Sequence, residues 1–237
     1  MSQTALRRAQ AYQFLSQAFL YPDENWVEDL PLLAEILEEA GLLAGWDIQP
    51  TALNYPLEAL QAEHRLAFGL TGSLCYETEF GLPHEFRQSQ EMADIAGFYK
   101  AFGFQVGGPV RERPDHLAVE LEFMYVLALK EAYAGESGTA EQVEICQDGQ
   151  AKFLEDHLGQ WMGLFAQSLA RSSAERADQP AHAAPYTVLA QLADEVVRAD
   201  AGRLGVELKP HQLAGIRPTP QAPDLACGDC LAAQSQQ

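Results

Sequence analysis

The densest run of chemically capable side chains opens the stretch "RERPDHLAVELEFMYVLALKEAY", Arg111–Tyr133. Arg, Glu, Arg, Asp and His there precede an amphipathic helix that must bury Leu117, Leu121, Met124 and Leu127. On a helix His116 and Glu120, four apart, share a face, as do Asp115 and Glu122, seven apart. Three kinds of role are open to such a group. A His-x-x-x-Glu pair holds a metal ion when a third ligand comes near, and Asp94 is the candidate. Asp94, His116 and Glu120 would then make a metal-dependent hydrolase. The same residues could recognise a ligand. They could also be a hydrogen-bonded network that fixes a helix start. Pro114 suits a first helical turn because its missing N–H is no loss there. It biases Arg113 toward the extended conformation of an N-cap. Asp115 would face the positive end of the helix dipole. Composition does not separate recognition from architecture. An imidazole is not a favoured cap, so His116→Ala is expected to leave the melting temperature nearly unchanged while a recognition role is lost.

Other sites are thinner. The tail pair Cys227 and Cys230, in "CGDC", has metal or redox spacing but supplies two of the four ligands a tetrahedral site wants. Thioredoxin-like chemistry needs a strand–helix context that is missing, so the pair reads as exposed and incidental. With Cys75 and Cys146 the chain has four cysteines, not a disulfide framework for its size. "GFYKAFGFQVGG" is glycine-rich but follows a helix, so a dinucleotide site is not expected. No Gly-x-Ser-x-Gly elbow occurs. His64 reads as a satisfied, semi-buried histidine. Neither a cofactor nor a metal is expected.

Charge narrows the partners. The 237 residues carry a net charge of -19, with a sequence pI near 4.5, which opposes a nucleic-acid partner. Ala9 to His64 contains no Lys or Arg but ten carboxylates. That segment is a solvated acidic surface or a docking surface for a basic peptide. No apolar run approaches the roughly 18–20 residues that span a bilayer, and the N-terminus lacks a signal-peptide core. The expected location is the cytoplasm, without membrane insertion.

The elements that must position these residues are helical almost throughout. Thr4 is placed to cap a first helix that Pro22 stops. "VEDLPLLAEILEEAG" and "YPLEALQAEHRLAFG" follow, then a loop rich in glycine, then "SQEMADIAGFYKAFGF", with Gly103 as terminator. After the Arg111–Tyr133 stretch come "TAEQVEICQDGQAKFLEDHL" and "GQWMGLFAQSLARS", a polar loop "ARSSAERADQPAHAAP", and a last helix from Tyr186. No segment alternates as a half-buried strand does. The fold class is all-α: one multi-helix bundle over residues 3–206, with a mobile Pro-rich tail over 207–237.

"QSQEMADIAGFYKAFGFQV" followed by "ERPDHLAVELEFMYVLALKE" resembles the signature region of the TorD/DmsD/NarJ-type maturation chaperones for molybdenum oxidoreductases. "YQFLSQAFLYPDE" and "EHRLAFGLTGSLCYETEFG" are similar to their counterparts, so the resemblance covers roughly residues 5–200. "YETEFG" resembles the branch that serves enzymes of the ethylbenzene dehydrogenase, chlorate reductase or selenate reductase kind. The resemblance implies a TorD-like bundle that is not an enzyme. It implies a partner, the apo catalytic subunit of a molybdenum oxidoreductase, bound often through its twin-arginine leader and kept from export until the molybdopterin guanine dinucleotide cofactor is inserted. It places leader binding at Asp115 and His116, with the segment His64 to Phe68 contributing, and Arg113, Glu120 and Tyr76 complete the expected leader-binding set. The chain departs where relatives often have an aromatic residue at His64 and a larger apolar one at Ala67. The Cys227/Cys230 tail is not part of the family pattern. A monomer or homodimer fits, and a helical adaptor that ignores the leader is the remaining alternative.

Overall fold

A computed structural model describes residues 3–43, 55–69, 75–80, 87–107, 112–176 and 184–209. The helices are α1 (Gln3–Ala18), α2 (Leu30–Glu39), α3 (Leu57–Phe68), α4 (Arg87–Ala101), α5 (Leu117–Ser137), α6 (Ala140–Phe153), α7 (Gly159–Arg176) and α8 (Pro185–Arg203). Short 3-10 turns, Trp26–Asp29 and Glu77–Glu79, precede α2 and follow Tyr76. Among the described residues there is no strand, only an isolated antiparallel bridge between Tyr76 and His116. The fold class is all-α and TorD-like.

α5 decides the packing. Eleven of its 21 residues are buried, including Leu117, Leu121, Phe123, Met124, Leu127 and Ala132. A helix apolar on most sides belongs inside a bundle, so α5 is a central helix rather than the ordinary amphipathic one its sequence suggests. α1 and α6 pack along it, α8 packs on α7, and α3 leans on α8. Ala5, Ala9, Ala11 and Ala18 keep the buried side of α1 thin, so it approaches α5 closely enough for Ser16 Oγ to donate to the Ala118 carbonyl at 2.8 Å.

Polar groups lock this centre. Arg8 is 0% exposed. Its Nε and Nη2 grip Asp200 at 2.8 and 2.9 Å, and Nη1 reaches Glu131 at 2.8 Å. Nη2 also bonds Gln150, and Tyr12 donates to Asp200 at 2.9 Å. The clamp joins α1, α5, α6 and α8.

Three expectations about boundaries fail for local reasons. α1 is already helical at Gln3, so Thr4 is not its cap. α7 runs on through "ARSSAER" to Arg176, since Ala, Arg and Glu are strong helix formers. α6 and α7 are joined by a π-turn, Leu154–Leu158, instead of a break. Gly159 permits it, because a Cβ there would collide with the Leu154 carbonyl. Gly41 and Gly103 end α2 and α4 at φ +68, as the sequence suggests. The tail, with Cys227 and Cys230, lies outside the described residues from 210 onward.

Candidate functional site

The segment Cys75–Phe80 lies against the chain that leads into α5. Leu117 N donates to the Cys75 carbonyl at 2.8 Å and Glu77 N to the Asp115 carbonyl at 2.9 Å. Tyr99 on α4 adds a third support, its hydroxyl donating to the Pro114 carbonyl at 2.7 Å. Three separate pieces of sequence therefore hold "RPDH" in place: "CYETE", "GFYKAFG" and the start of α5.

Asp115 is 0% exposed and fully engaged. Arg113 forks onto both its oxygens, Nε to Oδ1 at 3.0 Å and Nη2 to Oδ2 at 2.7 Å. The Thr78 hydroxyl donates to Oδ2 at 2.7 Å and accepts from Arg113 at 2.9 Å. Asp115 thus positions Arg113, whose guanidinium lies 4.3 Å from the centre of the Tyr76 ring and remains well exposed. This corrects two expectations. Arg113 is not the N-cap, and Asp115 is neither in the first helical turn nor on a common face with the exposed Glu122.

His116 is the cap. Its Nδ1 accepts from Ala118 N at 3.1 Å. The ring proton is therefore on Nε2, which is a donor. Burial lowers the His116 pKa, against the pull of Glu112 and Asp115 and with the help of His64, so the ring is neutral near pH 7. Its ring meets Tyr76 edge-on at 5.2 Å.

α3 supplies the neighbouring wall. Gln61 donates to the Pro22 carbonyl at 2.9 Å, and His64 Nε2 lies 3.3 Å from the Phe19 carbonyl, which moors α3 to the end of α1. His64 is half-buried and satisfied, as expected of it. Burial lowers its pKa. Phe68 sits 4.9 Å from the His64 ring and 5.1 Å from Tyr186, and lies parallel to Phe165 at 6.4 Å. The exposed Tyr21 meets His64 at 5.4 Å and accepts from Arg65 at 2.7 Å. His64, Phe68 and Tyr76 thus offer half-buried rings beside the exposed Arg113 and the buried His116. Burial pushes the half-buried Glu79 carboxyl up to about 7, Arg113 opposing the rise and Asp115 adding to it.

Glu120 is elsewhere. It is 0% exposed, and Trp161 Nε1 donates to its Oε2 at 3.0 Å. Among the described residues its Oε1 and Glu77 Oε2 have no other hydrogen-bond partner, and the two carboxyls bond each other. Glu77 Oε1 lies 3.1 Å from His157 Nδ1 on the π-turn. Burial first, and then the Glu77 charge and hydrogen bond, hold the Glu120 carboxyl well above the usual range, over the opposing Trp161 bond. The expectation that Glu120 faces a client beside His116 fails because α5 is buried on that side.

This pair makes stability pH-dependent. Above about pH 4.3 the unfolded chain has released the Glu120 proton. The folded chain still holds it, so stability falls as pH rises toward the folded pKa. Glu120→Gln keeps a permanent donor toward Glu77 and removes that slope. Urea unfolding at pH 5 and pH 8 should show the variant gaining on the parent at the higher pH; equal differences at both would refute the shared proton.

Asp94 does not join His116 and Glu120. It stands exposed on α4, and among the described residues no group of three His, Cys, Asp or Glu side chains could hold a metal ion. The hydrolase triad is not assembled. Cys75 and Cys146 are free and buried, and burial raises both thiols.

Thr78, Glu77, His157, Trp161 and Tyr99 are absent from the sequence-derived site. Only "YETE" hinted at the first two, and spacing has no means of pairing Glu77 with His157.

Residues 23–167 match the family described as "Nitrate reductase delta subunit". The chain belongs to that family of redox-enzyme maturation chaperones. It is 30% identical over 202 residues to the "Selenate reductase assembly chaperone protein" of Thauera selenatis, covering 83% of this chain and 89% of that one. It is 30% identical over 164 residues to the "Chlorate reductase assembly chaperone protein" of Ideonella dechloratans, covering 68% and 76%. A shorter match, 37% over 71 residues, is to the "Perchlorate reductase assembly chaperone protein" of Dechloromonas aromatica (strain RCB), covering 30% and 31%. For a member of the nitrate reductase delta subunit family, the "RPDH" knot is part of an assembly chaperone and not of a catalyst. Among the described residues, no helix is long and apolar enough to cross a membrane.

Proposed function

We propose that this family member is a cytoplasmic, system-specific chaperone for the apo catalytic subunit of a molybdenum reductase of the dimethyl-sulfoxide-reductase kind. It takes the twin-arginine leader of that subunit, assists insertion of the molybdenum cofactor and holds the client from export until insertion is complete. The selenate and chlorate reductases named for its relatives indicate the type of client.

The observation that carries this reading is the face made by His64, Phe68, Tyr76, Arg113 and His116. The His64, Phe68 and Tyr76 rings are half-buried and His116 is buried, so an apolar leader segment covers this face with little further ordering. Among the described residues no ion pair forms on Glu79 beside it, and an arriving arginine favours its charged form. Asp115 acts on this face indirectly, by orienting Arg113.

The test is titration of the full chain with a labelled leader peptide and with a copy whose paired arginines are glutamines. The native peptide should bind at least tenfold more tightly. Its affinity should fall as salt rises through the range where the screening length drops below about 8–10 Å. Affinity should also rise from pH 6 to pH 8, because Glu79 loses its proton there and the neutral His64 and His116 gain no charge. Equal affinity for both peptides, unchanged by salt, would sink leader recognition. Binding only to a client whose leader has been removed would identify an adaptor.

A further inference from the structure

The side chain of Arg113 ties together nothing that is not already tied. Its Nε and Nη2 fork onto Asp115, and Nη2 also donates to Thr78. The Thr78 hydroxyl itself donates to Asp115 at 2.7 Å, so those two are joined without the guanidinium. The knot around them is held by its backbone: Leu117 N on the Cys75 carbonyl, Glu77 N on the Asp115 carbonyl and His116 N on the Arg113 carbonyl. Arg8 is the contrast. It is buried and links α1 to α5, α6 and α8. The Arg113 side chain is 44% exposed and pairs with a residue two positions along.

Asp115, by contrast, needs a cation. It is fully buried, and a buried carboxylate without a counter-charge is destabilising. A carboxylate kept for a ligand that comes and goes must therefore be paired while the ligand is away. The seat it belongs to has the shape of a guanidinium. Two carboxylate oxygens take parallel N–H donors, the Thr78 hydroxyl accepts a further one, and the face of the Tyr76 ring lies 4.3 Å from the guanidinium carbon. When a second guanidinium takes this seat, Asp115 stays paired throughout. The released Arg113 is hydrated and regains rotamer freedom. The charges of Glu112 and Glu79 also reach the Tyr76 ring, so an incoming cation meets carboxylates there as well as Arg113. An uncharged side chain that displaced Arg113 would strand Asp115, and a phosphate or carboxylate would be repelled by it. Like exchanges for like.

We infer that Arg113 is a placeholder: in the free chain its guanidinium occupies the seat on Asp115, Thr78 and Tyr76 that an arginine of the client's leader takes by displacing it. That the arginine comes from a leader rests on the chaperone reading; the exchange of guanidinium groups at Asp115 does not. In the free chain Asp115 acts only through Arg113. After the exchange it holds the incoming arginine directly, and Arg113 lowers affinity by competing for the seat rather than raising it by touching the client.

The probe is an acetylated peptide with two adjacent arginines ahead of leucines, set against its citrulline copy, which keeps the shape without the charge. Each is titrated into the full chain by calorimetry, with thermal denaturation alongside. Arg113→Gln empties the seat. It should bind the arginine peptide at least fivefold more tightly than the parent does and the citrulline peptide no more tightly. Its thermal midpoint should lie below that of the parent and be restored by the arginine peptide but not by the citrulline copy. Arg113→Lys keeps a cation on Asp115 but cannot fork onto both oxygens, so it should be displaced more easily and bind the arginine peptide at least twofold more tightly. It carries the test if Arg113→Gln does not fold. Asp115→Asn removes the charge of the seat and should bring the two peptides to equal affinity. Weaker binding of the arginine peptide by Arg113→Gln or Arg113→Lys overturns the inference, by making Arg113 a recognition group in its own right. Unchanged affinity overturns it too, as does rescue by citrulline. The two readings fail separately. If the leader peptide of the client does not bind the parent while Arg113→Gln still selects arginine over citrulline, leader recognition is refuted and the placeholder stands. If the leader binds the parent and binds Arg113→Gln less well, the reverse holds.

Discussion

Replacing Arg8 by methionine should lower the unfolding free energy by about 3–5 kcal/mol, the range for removing one partner of a buried ion pair. The guanidinium is the donor that Asp200 and Glu131, 0% and 5% exposed, depend on. Methionine fills much of the volume but leaves carboxylates inside the bundle, with Tyr12 and Arg203 the remaining side-chain partners of Asp200 among the described residues. Arg8→Lys should fall between parent and Arg8→Met, since an ammonium cannot fork onto both Asp200 oxygens. Acid gives a second reading of the same clamp. Burial alone would raise the Asp200 carboxyl, but Arg8 and then Arg203 pull it below its ordinary value. A depressed carboxylate contributes stability that is present above its unfolded pKa and lost as pH falls through the folded one. The parent should therefore weaken progressively below about pH 4, and Arg8→Met should lose less over the same interval. Urea unfolding across pH 2–7 measures both effects. A neutral-pH loss under about 1 kcal/mol would show that the network is worth no more than a surface pair.

The second large effect concerns His116, and here the structure changes which substitution is informative. His116→Ala removes an N-cap acceptor from Ala118 N and should cost about 0.5–2 kcal/mol of stability. That contradicts the expectation of an unchanged melting temperature, which assumed that the imidazole did not cap. His116→Asn separates cap from recognition. An asparagine oxygen accepts from the same amide, but the Nε2 donor is lost. Leader affinity should then fall roughly ten- to a hundredfold, matching about 1.5–3 kcal/mol for a hydrogen bond to a charged group. The melting temperature should stay with the parent. Thermal denaturation beside leader titration checks it. Full affinity in His116→Asn would return the residue to architecture alone.

The elements were legible where local chemistry decides them. Leu57, Leu60, His64 and Phe68 at helical spacing before Gly69 mark α3, and Gly103 marks the end of α4. Legibility failed where two distant segments share a boundary. Nothing near Gly159 announces that α6 passes into α7 through a π-turn, because the glycine that permits it looks like a terminator.

The site divides in the same way. By itself the sequence determined the all-helical class, the acidic charge and the grouping of Arg113, Asp115 and His116, since helical periodicity, charge and short spacings need no tertiary contact. The resemblance carried by "GFYKAFG" and "ERPDH" pointed to the chaperone family that the relatives bear out. Only the tertiary structure decided what each residue of the knot does. Asp115 meets Thr78 across 37 positions, Trp161 meets Glu120 across 41, and Glu77 meets His157 across 80. Side-chain direction at the mouth of a helix depends on which distant segment packs there, and burial of the whole first turn of α5, Leu117 to Leu121, turned Glu120 inward. A one-dimensional pattern shows which residues are available for chemistry. Packing settles which of them still face solvent once the core has closed.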